Sequence, residues 1–146
     1  MDCREIRFKQ LTQSENSLME TLTTQGIKVS VEPFYLPKES LPVQQRYVHA
    51  YRIIIENRSE HTVQLLSRHW YIFESNGILR EVKGEGVVGQ QPILEPSEKH
   101  EYTSWCPLMT DIGKMHGTFN MQNLVTSDFF EVVVPEFKLV PPFKKN

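Results

Sequence analysis

The chain has 146 residues, with 16 Lys and Arg against 18 Asp and Glu, a net charge of −2 and 39% apolar residues. That length allows one domain with a real core and excludes two of ordinary size. The charge balance excludes the basic footprint of a nucleic-acid binder and the polybasic patch of a membrane-surface protein. The longest aliphatic runs are three residues, at Ile53–Ile55 and Val132–Val134, too short for a membrane span.

The first 25 residues are rich in Gln, Ser, Thr and Glu, with Leu18 and Leu22 at i, i+4 spacing. They read as an N-terminal extension, a tail or a short amphipathic helix, preceding a domain over residues 26–146. From Gly26 the period becomes two. Ile27, Val29 and Val31 alternate with Lys28, Ser30 and Glu32, as in a strand with one buried face. "RYVHAYRIIIEN" repeats the pattern, with Tyr47, His49, Tyr51, Ile53 and Ile55 on one side and Arg52 and Glu56 on the other. "VQLLSRHWYIFE" is a third strand, in which the adjacent Trp70 and Tyr71 must face opposite ways. One of the two therefore lies outside the core, which suggests a partner-binding face.

Asn76-Gly77 signals a hairpin into "ILREVKG", and "KHEYTS", "MHGTFNM" and "FFEVVVPEF" follow as further strands between turn-forming segments. No ten-residue stretch after residue 25 holds a helical period. Short strands at this spacing predict an all-β fold, an antiparallel sandwich of about seven to eight strands. Its edge strands can pair between chains, which allows a dimer.

Within "EVKGEGVVGQQP", Gly84, Gly86 and Gly89 have the GxGxxG spacing of a dinucleotide loop. That loop needs a following helix whose N-terminus receives the pyrophosphate, and Pro92 and Pro96 oppose one here. The structural expectation is a bulged strand-to-strand loop with positive φ at the glycines. The alternative is an anion-binding nest of Gly84, Gly86 and Gly89 amides with Arg80, Lys83 and Lys99 nearby. His49, His61, His69, His100 and His116 form no HxH or HxxxH, so neither metal nor other cofactor is expected. Cys3 and Cys106 make no CxxC, and the charged start lacks a signal-peptide core, which predicts reduced thiols in the cytoplasm. Cys106 has no neighbouring base in sequence, and Ser104 sits in no GxSxG elbow, so no catalytic group is expected.

The runs "RYVHAYRIIIEN", "VQLLSRHWYIFESNG" and "EVKGEGVVGQQPILEPSEKHEYTSWCPLMTDIGKMHGTFNM" together resemble the ApaG family, from roughly Gly26 to Pro142. "GEGVVGQQP", "YTS" and Gly113-x-Met115-x-Gly117-x-Phe119 carry the resemblance. It implies a fibronectin type III-like (immunoglobulin-like) sandwich. The family also occurs as a C-terminal module in certain F-box proteins, where it resembles a protein-binding domain, and its bacterial members are associated with cobalt tolerance and magnesium efflux. A phosphate- or nucleotide-binding role would carry over to Gly84, Gly86 and Gly89 alone. Three positions depart from the family. Ser97 replaces a Gly, so its turn is expected to avoid positive φ; Trp105 replaces a small residue and should enlarge the apolar surface of a loop; Phe119 replaces a Tyr. The expectation is a non-enzymatic module with an unidentified protein partner, Trp105 being the candidate contact. Binding of a small phosphorylated anion is the second reading.

Overall fold

The computed structural model describes residues 4–5 and 19–144. Among these, ten strands run in chain order: β1 (Arg4–Glu5), β2 (Glu20–Thr24), β3 (Ile27–Tyr35), β4 (Tyr47–Asn57), β5 (Val63–Glu74), β6 (Leu79–Glu85), β7 (Ile93–Leu94), β8 (Lys99–Leu108), β9 (Gly113–Asn123) and β10 (Phe129–Leu139). Short 3-10 turns punctuate them, and no helix among the described residues is long and apolar enough to cross a membrane. One sheet has the order β1-β8-β4-β3-β2 and the other β10-β9-β5-β6, with β7 paired to β5; every pairing is antiparallel. The expected antiparallel sandwich is therefore what forms.

Each sheet buries one face because alternate residues are apolar. Ile27, Val29 and Val31 meet Ile53 and Ile55 on the inner face of the first sheet. Trp70, Ile72, Met115, Phe119, Met121, Val132 and Val134 supply the facing layer. At the centre, Trp70 meets Tyr51 edge-on at 5.5 Å, Phe119 at 6.2 Å and Phe137 at 6.0 Å between ring centroids. Gly117 lies directly opposite Trp70, and a Cβ there would strike the His69 carbonyl and stand 3.0 Å from the indole. This family-signature glycine thus makes room for the largest core ring.

Two expectations about the N-terminal stretch change. Leu22 lies in β2, paired with Val29, and the boundary at residue 25 is the turn of the β2–β3 hairpin. The Thr-rich run ETLTT forms a strand because β-branched residues favour one and β3 offers its edge. Leu18, the other residue of the helix reading, falls outside the described residues. Asn76-Gly77 does close the β5–β6 hairpin: Gly77 N–H donates to Glu74 O at 2.9 Å with Gly77 at φ 88°.

Candidate functional site

The glycine loop follows from a one-residue bulge in β5. Pairing with β9 slips between Leu65 and Ser67, which moves the buried set from odd to even positions and turns Arg68 towards the sandwich interior. The freed Leu66 carbonyl accepts from Gly86 N–H at 2.8 Å and Gln91 Nε2 at 2.9 Å. Val87 and Gln90 exchange both backbone bonds, at 2.8 and 3.0 Å, around Val88 and Gly89 at φ 52° and 74°. This is a type I′ turn. The bulged, positive-φ loop expected from the sequence is present, with Gly84 as the exception, since it stays in β6.

Each signature glycine has a separate reason. At Gly84 a Cβ would fall 2.8 Å from the Arg68 guanidinium; at Gly86 it would collide with the Gln90 carbonyl; Gly89 meets nothing and needs only its positive φ. Arg68 Nη1 donates to the carbonyls of Glu85 at 3.0 Å and Gly86 at 2.9 Å. The loop therefore turns carbonyls towards the half-buried Arg68 guanidinium, and its Gly86, Val87 and Gln90 amides are engaged within the protein. Of the three candidate glycines, Gly86 gives its N–H to the Leu66 carbonyl and Gly84 stays in β6, so the three amides do not stand together in one turn. Of the basic residues named with them, Arg80 points inward to Glu74 at 3.5 Å and the Pro107 carbonyl at 3.0 Å. Lys83 pairs across from His69 on the outer face.

Trp105 is not an exposed loop residue. It lies in β8 opposite Ala50 and packs, half-buried, against Phe34, Leu36, Val48 and Ala50, a second small core on the outer face of the five-stranded sheet. The Arg46 guanidinium covers its ring at 5.9 Å. Cys106, next in β8, is fully buried with an Arg80 nitrogen 3.7 Å from its sulfur. Ser97 also departs from expectation, taking φ 76° in the turn closed by Glu98 N–H to Glu95 O at 2.9 Å. Pro96 fixes the preceding φ, and a type II turn then demands positive φ whatever residue follows.

The outer face of the four-stranded sheet holds what the Trp70–Tyr71 parity foretold. Trp70 is inside and Tyr71 outside, half-buried. Four rings stack across β5 and β9: His69 on Tyr71 at 4.4 Å, Tyr71 on His116 at 4.9 Å and 14°, and His116 on Phe73 at 5.7 Å and 20°. Lys114 Nζ caps Phe73 at 5.3 Å, and Glu81 holds His69 Nε2 at 3.3 Å. A depression of about 610 Å³ adjoins His69, between Ser67, Lys83, Thr118, Asn120 and Glu131. The result is a planar, half-buried aromatic surface with Lys114 and Glu81 at its margins. Its sequence signal was incomplete: His69 and His116 are 47 positions apart and only the β5–β9 register joins them. Among the described residues, no three His, Cys, Asp or Glu side chains converge as metal ligands would.

Fold and surface together define a class: a two-sheet antiparallel sandwich domain presenting an aromatic face. Residues 37–123 match the ApaG domain model. Protein ApaG of Brucella anthropi is 52% identical over 128 residues, covering 88% of this chain and 98% of that protein. Its Brucella canis counterpart is 47% identical over the same coverage. A crystal structure of a Bordetella pertussis protein described as ApaA superposes with a TM-score of 0.77 at 48% identity, over 80% of this chain and 94% of that one. The chain belongs to the ApaG family.

Proposed function

We propose that this chain is a non-enzymatic binding module that recognises a partner protein through the outer face of its β10-β9-β5-β6 sheet. The observation that carries the reading is the His69–Tyr71–His116–Phe73 stack, which spends aromatic area on a face the core does not use. Aromatic centres with charged rims account for much of the energy of protein interfaces. Both edges of this sheet are blunted, by Pro135 and a bulge in β10 and by Glu81, Lys83 and Glu85 on β6, which supports the face over the edges. No reaction is assigned in this reading, in which the fully buried Cys106, with an Arg80 nitrogen 3.7 Å from its sulfur, is a packing residue. In this reading the protein works in the cytoplasm, and the family's tie to cobalt tolerance and magnesium efflux is indirect, through the partner.

Affinity capture with the wild type and a Tyr71→Ala/His116→Ala variant tests it. The variant should retain its fold and lose the reproducible partner. Retention of every partner by a folded variant would contradict the proposal.

A further inference from the structure

The four rings on the outer face form one continuous stack, and its two ends are finished differently. In order they run His69, Tyr71, His116, Phe73, and at the Phe73 end Lys114 Nζ stands 5.3 Å from the ring centroid. The chain thus caps that end with its own cation, drawn to the electron-rich face of the ring. At the other end His69 stacks on Tyr71 alone and meets Glu81 at its edge, with 26% of its side-chain surface open. The next residue on that face of β5 is Ser67, too short to cover an imidazole. The depression of about 610 Å³ begins where the stack stops.

One row crosses this depression from edge to edge of the sheet: Glu85, Ser67, Asn120 and Glu131, joined by the strand register. Glu81 and Glu136 are taken, by His69 at 3.3 Å and Lys114 at 3.6 Å. The Glu85 and Glu131 carboxylates have no partner among the described residues, and neither have the side chains of Ser67, Thr118 and Asn120. The cation on the outer side is Lys83, set between Glu81 and Glu85 along one face of β6. Arg68 lies behind the sheet, its guanidinium tied to the Glu85 and Gly86 carbonyls. The open end therefore offers a ring face, two free carboxylates against one ammonium, and neutral acceptors on the floor.

The geometry assigns this end of the stack to an arginine side chain of the partner protein. A guanidinium is flat and weakly hydrated, so it can lie on the free face of His69 while its edge donates to carboxylates. It would cap His69 as Lys114 caps Phe73, with Glu85 to one side and Glu131 to the other. The assignment rests on the outer-face reading above and names the residue recognised there.

The test titrates N-acetyl-arginine amide, N-acetyl-lysine amide and N-acetyl-citrulline amide into the full-length protein at matched ionic strength. Amide NMR at residues 67, 69, 118, 120 and 131 reads the site, with residue 103 on the opposite sheet as control. The arginine derivative should give saturable shifts at the site and none at the control. Citrulline keeps the shape without the charge, and lysine keeps the charge without the plane. Each should bind at least about threefold more weakly. The double variant Glu85→Gln/Glu131→Gln and the variant His69→Ser should each weaken arginine by a similar factor. Absence of saturable shifts, equal binding of arginine and citrulline or lysine, or unchanged affinity in either folded variant overturns the assignment. Should His69→Ser fail to fold, the three-ligand comparison and the carboxylate variant decide. If arginine fails to bind while Tyr71→Ala/His116→Ala still loses its partner, this assignment falls and the outer-face reading stands. If arginine fails and every partner is retained, both fall.

Discussion

Ser97 shows a residue held in place by its neighbour. Pro96 sets the turn, so Ser97 takes φ 76° despite its side chain. A non-glycine residue in the left-handed region costs about 1–2 kcal/mol, partly offset by the greater unfolded-state entropy of glycine. Ser97→Gly should therefore stabilise the fold by about 0.5–1 kcal/mol, read as a raised midpoint in urea; an unchanged or lowered midpoint would refute the account of this turn. His100 makes a second residue-scale case. Burial pushes its pKa below the ordinary 6.5 because the charged ring is poorly solvated there. Just below pH 6.5 the unfolded chain binds a proton that the folded chain does not, so stability is complete above that pH and falls as acid is added. His100→Gln should flatten this limb of the stability–pH curve, and an unchanged slope would show that other groups set it.

At the scale of elements, the glycine loop divides its three signature positions by mechanism. Gly86→Ala combines left-handed strain with a collision against the Gln90 backbone and should cost about 2–4 kcal/mol. Gly89→Ala adds a methyl to open space and should cost about 1–2 kcal/mol from φ alone. Denaturant midpoints falling in the reverse order would disprove this division. Most of the strands were legible in the sequence because alternation of apolar and polar residues reports a half-buried strand directly. The β5 bulge was harder to see. Its trace is a parity conflict, Val63 and Leu65 buried at odd positions against Trp70 and Ile72 at even ones. Arg68 was missed for the same reason, since plain alternation through Leu65 sends it outward. Trp105 was expected in a loop and lies in β8, because composition cannot reveal a second core on the outer face of a sheet. The segment after β3 builds that core: Ser40 Oγ donates to Leu36 O at 2.7 Å and accepts from Val48 N–H at 2.9 Å, pinning Leu36 beside Val48.

The whole molecule closes its two open sides differently. On one, β10 leans over β2, and Val133 N–H donates to Thr24 Oγ1 at 3.2 Å across the sheets. On the other, the loop after β6 bridges the gap, with Val87 fully buried as its plug. The outer faces differ as well. The five-stranded sheet covers part of its outside with the Trp105 cluster and sets Arg52 between Glu32 at 3.2 Å and Glu101 at 3.3 Å. The four-stranded sheet presents the stacked rings. The central claim, recognition through that second face, is tested most directly by placing a photo-crosslinking residue in turn at Thr118, beside the stack, and at Thr103, on the outer face of the opposite sheet. Recognition through the stack predicts a discrete crosslinked species from Thr118 and none from Thr103. Crosslinks from Thr103 alone, or from neither position, would contradict it.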